Sequence, residues 1–322
     1  MINNLKFAAR HLIKKKQVLA ILGPGSGEET FSVAEVGTQF DVPILSLADS
    51  CPSWGTKRWP FLVQASPSKN LQMKAVAAVV QSWGWRRVNV IYEDIDSSAD
   101  GITPHLYDAL QEVGAQISHL TALPSLANAS TLSEELHMLK RDQCRVFVVH
   151  VTLALGERLF NMAKEKKMME RGYVWITTDS LTSLVHSMDA STISSMQGVL
   201  GIKSYYDDKG QKYQDFCQRF QYKFGLKHPK EKNHEPGNSA LEAYDAIWTV
   251  ALALQEGNIN HQLLLDKIST ANFTGVSGKI HFSEQRLAPV TVFQIINVIG
   301  RSYREVGFWS YGKGFSMSVD ET

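Results

Sequence analysis

Runs of apolar residues with the period of a strand alternate along this chain with amphipathic runs of helical period. Residues 1 to 17 carry Leu5, Ala8, Ala9, Leu12 and Ile13 on one helical face behind the capping signal Asn3-Asn4. Val18 to Leu22 is a short apolar run suited to a buried parallel strand, and Gly23, Pro24 and Gly25 break it. Ser26 and Glu29 then have capping-box spacing, in which a hydroxyl and a carboxylate each satisfy one orphan amide. Phe31, Ala34, Gly37 and Phe40 recur at helical spacing, and Val42 to Leu47 is the next strand. Two such strands run parallel and end at one sheet edge, the edge where open α/β sheets bind ligands.

The alternation continues. Trp59 to Gln64 is a strand, and Ser66-Pro67-Ser68 starts a helix that reaches Trp83 and stops at Gly84. Strands are predicted at Arg87 to Tyr92, Gln116 to Leu120, Arg145 to Val151, Tyr173 to Thr177 and Gly198 to Ile202. Helices are predicted at Ile102 to Val113, Leu132 to Lys140, Leu153 to Lys166 and, briefly, Leu181 to Met188. Serial βα units are the signature of doubly wound parallel sheets, and this many fill two sheets. Beyond residue 209 the order changes to helices Gln211 to Phe224, Ser239 to Gln255 and Gln262 to Thr270. The helix from Ser239 is apolar nearly all round and is therefore expected to be buried. Strand-like runs close the chain at Lys279 to Phe282, Val290 to Ile299 and Arg304 to Trp309. A chain of this class that opens on a helix reads as one that has lost its front.

Composition narrows the partners. The 322 residues suffice for two lobes, and 33 basic against 32 acidic residues give a net charge of +1. No basic block stands out, so nucleic acid is a poor partner. The cluster Lys14-Lys15-Lys16 suits the negative end of a helix dipole. Neither a run of about 18 apolar residues nor an apolar stretch in residues 1 to 17 marks a membrane helix or a signal peptide. Three cysteines, Cys51, Cys144 and Cys217, are too few for a disulfide framework and lack metal-ligand spacing. Glycosylation sequons stand at Asn128 and Asn272, about as many as chance supplies.

Reactive motifs are scarce. The turn Gly23 to Gly27 lacks the Gly-Lys-Ser/Thr ending of a phosphate loop, and Glu28 and Glu29 would repel a phosphate. The chain has no Gly-x-Ser-x-Gly elbow, His-Glu-x-x-His or Cys-x-x-Cys. Glu93, Asp94, Asp96 and Asp100 could hold a cation but sit where carboxylates cap helices, and Asp179 has the same two readings. His150, inside an apolar strand, fits a satisfied core group better than a base. These residues describe a two-lobed α/β binding protein or an enzyme without a visible motif. Ser26, Asp49, Ser50, Asp96, Ser97, Thr152 and Asp179 lie in polar loops at strand ends, and their short side chains suit a small zwitterion.

The run from Ile21 to Ser50, with Ser82 to Ala115, Arg145 to Leu184, Met196 to Tyr206, Ala243 to Leu254 and Phe293 to Ser310, closely resembles the amino-terminal ligand-binding domain of plant glutamate receptor-like channels. The resemblance covers about residues 3 to 315. It implies the receptor ligand-binding, or type I periplasmic-binding-protein, fold: a clamshell of parallel sheets with three crossovers. Lobe 1 is then expected over 1–65 and 203–278, lobe 2 over 66–202 and 279–312, and a tail over 313–322. Against the family the chain looks truncated at both ends. Its first lobe lacks its first two strands, which makes Val18 to Leu22 an open edge, and no pore follows.

The resemblance further implies a non-enzymatic, cofactor-free and metal-free extracellular ligand-sensing domain of a ligand-gated cation channel. The parent would lie at the plasma membrane and pair with other receptor subunits. A small amino-acid-like or peptide ligand would sit between the lobes. Alternatives are a subunit-assembly module with a vestigial cleft, or a non-functional truncated product. Amino-acid-binding relatives place hydroxyls at positions that fall on Gly27, Ala48 and Ser50, so only Ser50 keeps one. An aromatic of theirs falls near Ser97 and an amino-group acid at Ser68, while Asp179 matches a ligand-facing acid. Each lost buried hydrogen bond costs about 1–3 kcal/mol, so free amino acids are expected to bind weakly or not at all.

Overall fold

A computed structural model describes residues 2–25, 27–48, 55–66, 69–94, 102–185, 188–231, 234–256, 260–287 and 292–319. The elements begin with α1 (Ile2–Lys16), β1 (Ile21–Leu22), α2 (Gly27–Gln39), β2 (Ile44–Ser46), α3 (Gly55–Arg58) and β3 (Leu62–Gln64). Next come α4 (Asn70–Ser82), β4 (Arg87–Asp94), α5 (Ile102–Glu112), β5 (Gln116–Pro124), α6 (Ala129–Arg141), β6 (Val146–His150) and α7 (Leu153–Glu165). β7 (Val174–Thr177), α8 (Asp179–Thr182), α9 (Ala190–Ser195), β8 (Leu200–Ser204), α10 (Gln211–Lys227), α11 (Asn238–Ala253) and α12 (His261–Ser269) follow. The chain continues through β9 (Asn272–Thr274), β10 (Lys279–Ser283), β11 (Arg286–Leu287), β12 (Val292–Ile299), β13 (Ser302–Ser310) and β14 (Gly314–Ser316).

Two compact units result. The first comprises Met1–Lys69 and Tyr206–Val290, and the second Asn70–Tyr205 and Thr291–Thr322. The third crossing falls after Val290 rather than after residue 278. The physical reason is pairing: β10 bonds to β9 and β11 bonds to β3, so that hairpin stays in the first unit. Nor is the stretch from residue 313 a free tail, because β14 extends the second sheet through β13.

The first sheet has the order β1-β2-β3-β11-β10-β9. Its strands β2 and β3 are buried on both faces, and their successive residues feed opposite layers. Ile44 and Leu62 pack with Ala9, Val33 and Ala34 of α1 and α2. Leu45 and Val63, one residue on, pack with Ala246, Leu264 and Ile268 of α11 and α12. That two-sided burial is why β2 and β3 read as continuous apolar runs rather than alternating ones. β1 forms one edge of the sheet, with Leu22 37% exposed. Only Ile21 and Leu22 of the expected strand pair with β2, and the chain leaves α1 through Gln17, whose φ is 51°.

The second sheet has the order β14-β13-β12-β8-β7-β6-β4-β5. β5, β4, β6, β7 and β8 are mutually parallel, whereas β12, β13 and β14 join antiparallel, so the sheet is mixed. Its core is built around Phe147, stacked on Trp175 at 4.4 Å, with Phe160 edge-on to Trp175 at 5.4 Å. The Trp175 indole N–H donates to the Met168 carbonyl at 2.8 Å, so this large ring is buried with its polar atom satisfied.

α11 departs from the expectation of all-round burial. Leu241, Ala246 and Ala253 are buried, but Ile247 and Trp248 are 57% and 46% exposed. Composition alone does not orient a helix without a polar face. A side chain that apolar counting passes over is what anchors it: Asp245, 2% exposed. Its carboxylate accepts from the Val276 and Ser277 amides at 2.9 and 2.7 Å and from the Ser277 hydroxyl at 2.6 Å. A Cβ at Gly275 would lie 2.4 Å from that carboxylate. Cys144 and Cys217 are free and buried as expected, and burial, then Glu235, pushes the Cys217 thiol to about 11. Cys51 lies outside the described residues.

Asp245→Ala strands two amides of the 275–277 loop and should lower the unfolding free energy by about 2–4 kcal/mol, read from urea denaturation. An unchanged midpoint would refute the anchoring role. Leu22→Lys places a charge on the open edge and should reduce concentration-dependent self-association in light scattering without moving the melting temperature by more than about 2 °C.

Candidate functional site

In the second unit the parallel register aligns the carboxyl ends of four neighbouring strands. Tyr92 of β4 is opposite His150 of β6, Val149 of β6 is opposite Thr177 of β7, and Thr177 is opposite Gly201 of β8. The residues that follow form a polar ledge across the sheet in the order β4, β6, β7, β8. Glu93 comes first. Its carboxylate accepts from the Thr152 amide, the cap residue of α7, at 2.6 Å. The Thr152 side chain is exposed and makes no capping bond, so its hydroxyl faces solvent.

His150 follows. Its Nδ1 is 2.7 Å from the Thr178 hydroxyl and 3.3 Å from the Ser180 hydroxyl. Ser180 also donates to the Val151 carbonyl at 3.1 Å, which ties the loop after β7 to the loop after β6. Asp179, the first residue of α8, accepts from the Ser204 hydroxyl at the end of β8 at 3.3 Å. The carboxylates of Glu93 and Asp179 are the acidic groups among these named side chains. The ledge therefore favours a ligand that presents N–H donors or an ammonium group.

Of the residues singled out from the sequence, Thr152 and Asp179 stand on this ledge. Ser26, Asp49, Ser50, Ser68, Asp96 and Ser97 lie outside the described residues. Gly27 and Ala48, in the first unit, are buried at the start of α2 and after β2. Ala48 has 0% exposure, its amide donates to the Ser46 hydroxyl at 3.1 Å, and its carbonyl accepts from Gln64 at 3.5 Å. Ser46 is in turn 2.8 Å from the Thr30 hydroxyl, so the polar groups at these strand ends are used to hold the loop.

Sequence reasoning passed over Thr178, Ser180 and Ser204 and took Glu93 for a cap on the helix following it. Glu93 does satisfy a helix amide, but that of α7, from the neighbouring strand. His150 is half-buried and hydrogen-bonded, as a satisfied group should be. The signal available in sequence was that a hydroxyl residue follows each of β6 and β7 within two positions, Thr152 and Thr178. Among the described residues no group of three or more His, Cys, Asp or Glu is placed to hold a metal ion, and no helix is long and apolar enough to cross a membrane.

Residues 5–301 match the receptor family ligand binding region. Glutamate receptor 2.2 of Arabidopsis thaliana is 33% identical over 338 residues, covering 98% of this chain and 36% of the relative. Glutamate receptor 2.7 of the same plant is 35% identical over 334 residues, covering 95% of this chain and 34% of the relative. The chain thus spans about a third of the length of the curated relatives it matches. Among solved structures, a solute-binding protein of an ABC transporter from Rhodopseudomonas palustris, in complex with 3,4-dihydroxybenzoic acid, superposes with a TM-score of 0.78 at 19% identity. A leucine-binding protein from Thermotoga maritima superposes with a TM-score of 0.72 at 17% identity. Each match covers 100% of this chain and 86% of the other. The fold is that of the periplasmic solute-binding proteins, type I.

Glu93→Ala should speed hydrogen exchange of the Thr152 amide by about tenfold or more, while Glu93→Gln, which keeps an acceptor, should speed it less. Equal rates in all three proteins would remove Glu93 from the ledge.

Proposed function

The chain belongs to the family of receptor ligand-binding regions, and from that premise we propose that it is the extracellular ligand-sensing domain of a glutamate receptor-like, ligand-gated cation channel. The observation that carries the reading is the ledge of Glu93, Thr152, His150, Thr178, Asp179 and Ser204 at the carboxyl ends of four adjacent parallel strands. Such an edge is where open α/β sheets take ligands. Asp179 receives the ligand's amino group, the Thr152 hydroxyl takes a second polar contact, and the buried core beneath keeps both in place. The ligand class is a small amine-bearing molecule, amino-acid-like or a short peptide. Ligand occupancy biases the parent channel through a shift in conformational population. Other receptor subunits are the partners this role requires.

Chemistry is not part of the role. The Thr178 hydroxyl that meets His150 is fully buried and is bonded to the Ser180 hydroxyl at 3.1 Å, while Ser180 also donates to the Val151 carbonyl, so these hydroxyls are used within the ledge. Burial raises the thiols of Cys144 and Cys217, which keeps both protonated at neutral pH.

Free amino acids bind weakly under this reading, because Ala48 has no free polar group to offer. Calorimetry should give glutamate and glycine dissociation constants weaker than micromolar. In a panel of dipeptides, the tightest binder should lose about tenfold or more in affinity with Asp179→Asn, the cost of one charge-assisted hydrogen bond. A ligand indifferent to both Asp179→Asn and Thr152→Ala would sink the assignment.

A further inference from the structure

The second unit separates its charges by sheet edge. The ledge, with Glu93 and Asp179, lies at the carboxyl ends of β4, β6, β7 and β8. The opposite edge is built from the segments that lead into the parallel strands: residues 83–87, 112–116, 140–145, 164–173 and 194–199. The turn between β12 and β13, residues 299–302, joins them, because β12 runs antiparallel to β8. These segments hold ten Lys and Arg against four Asp and Glu, in a chain whose net charge is +1. Sequence order scatters the cations, and strand order collects them.

Direct contacts show that the edge is continuous. Arg87, at the start of β4, is 3.8 Å from the Asp142 carboxylate ahead of β6. Lys140, ahead of β6, donates to the Lys166 carbonyl ahead of β7. Lys164 donates to the Ser194 hydroxyl at 2.9 Å, and Gln197, ahead of β8, donates to the Gly300 carbonyl at 3.0 Å. Arg86, Arg141, Lys167, Arg171 and Arg301 are exposed along this row. Neighbouring strands lie about 5 Å apart, so the four steps from β4 to β12 make the row about 20 Å long.

Helix dipoles do not account for it. Lys140, Arg141 and Lys164 do sit in the last turns of α6 and α7, where cations are favoured. Arg86, Arg87, Arg171 and Arg301 belong to no helix, and α4 and α5 end without a basic residue in the last turn. Like charges gathered on one edge repel one another, a cost that an anionic partner removes.

The shape and one side chain narrow the partner. A row one sheet edge wide suits a linear polyanion better than a flat lipid surface, and Glu165 and Glu170 interrupt it, which suits charges spaced along a polymer. At the β4 end Trp83 is 50% exposed and stacks on Trp85, with centroids 5.5 Å apart at 12°. The C–H face of a sugar ring packs on the negative face of an indole, and carboxylates form paired hydrogen bonds with guanidinium groups. We infer that this edge of the second unit binds an acidic polysaccharide, a chain of uronic acid residues, with a sugar ring on Trp83 and carboxylates on the arginine and lysine row.

Binding of polygalacturonate to the full chain tests this. Affinity should fall about tenfold or more between about 50 and 200 mM salt. R86E/R171E should weaken it about tenfold or more at low salt, while K223E/K227E, an equal charge change at exposed positions of α10 in the first unit, should change it less than about twofold. R86Q/R171Q should weaken it in the same direction with the melting temperature within about 2 °C of the parent, which separates lost contacts from lost fold. W83A should weaken polygalacturonate about threefold or more and leave polyglutamate of matched charge unaffected. D179N, which removes the ledge carboxylate, should leave polysaccharide binding unchanged, so the two readings fail separately. Absence of binding by the parent chain overturns the inference, as does equal loss in the two charge-reversal pairs. So does binding of polyglutamate, duplex DNA or phosphatidylserine vesicles as tight as that of polygalacturonate at equal charge.

Discussion

The register of the parallel strands in the second unit is the constraint on which the candidate site depends. A strand presents alternate residues to opposite faces, so a slip of one position would exchange every side chain between the two layers it packs in and break both packings. Phe147, Val148 and Val149 are all fully buried between two layers, which makes such a slip prohibitively costly. With β4, β6, β7 and β8 locked by their apolar middles, their polar ends have no freedom in where they fall. Glu93, His150, Thr178 and Ser204 form a line because the residues before them cannot move. The hydrogen bonds along the ledge refine that arrangement; burial imposes it.

The first unit solves the same problem with a different allocation of polar groups. Its strands β2 and β3 are also buried on both faces, Ile44 toward α1 and α2 and Leu45 toward α11 and α12. At its strand ends, however, Thr30, Ser46 and Gln64 turn inward to satisfy one another and the backbone of Ala48. A hydroxyl used to hold a loop is not available to a ligand. Among the described residues, the two units thus share an edge geometry and differ in how far the strand-end polar groups are used to hold the loops.

Most elements were legible in the sequence because two-sided burial makes short unbroken apolar runs, and Gly23, Gly84 and Gly114 mark where they stop. What was not legible has definite causes. β9 is three residues long and contains Asn272 and Thr274, so nothing in its composition distinguishes it from a loop. The third crossing was misplaced because β10 has ordinary alternation, which is the same whichever sheet it joins. α11 has apolar residues on every side, so its orientation is set by Asp245, one buried carboxylate facing two loop amides. In the site, Thr152 and Asp179 could be named because each follows an apolar strand. Thr178, Ser180 and Ser204 escaped because their roles are to bond across strands far apart in sequence, and period counting carries no information about which strands are neighbours.

The pairing of β11 with β3 has a consequence for how the protein is made. Arg286 lies opposite Gln64, so the first unit cannot close its sheet until the ribosome has passed residue 286. The second unit waits as well, since β13 pairs with β12 and ends at Ser310. Neither unit is a continuous stretch that can fold while the other is still being synthesised. The apolar strands β1 to β8 therefore leave the tunnel before all their partners have been made, and both units complete only over the stretch from residue 286 to residue 310.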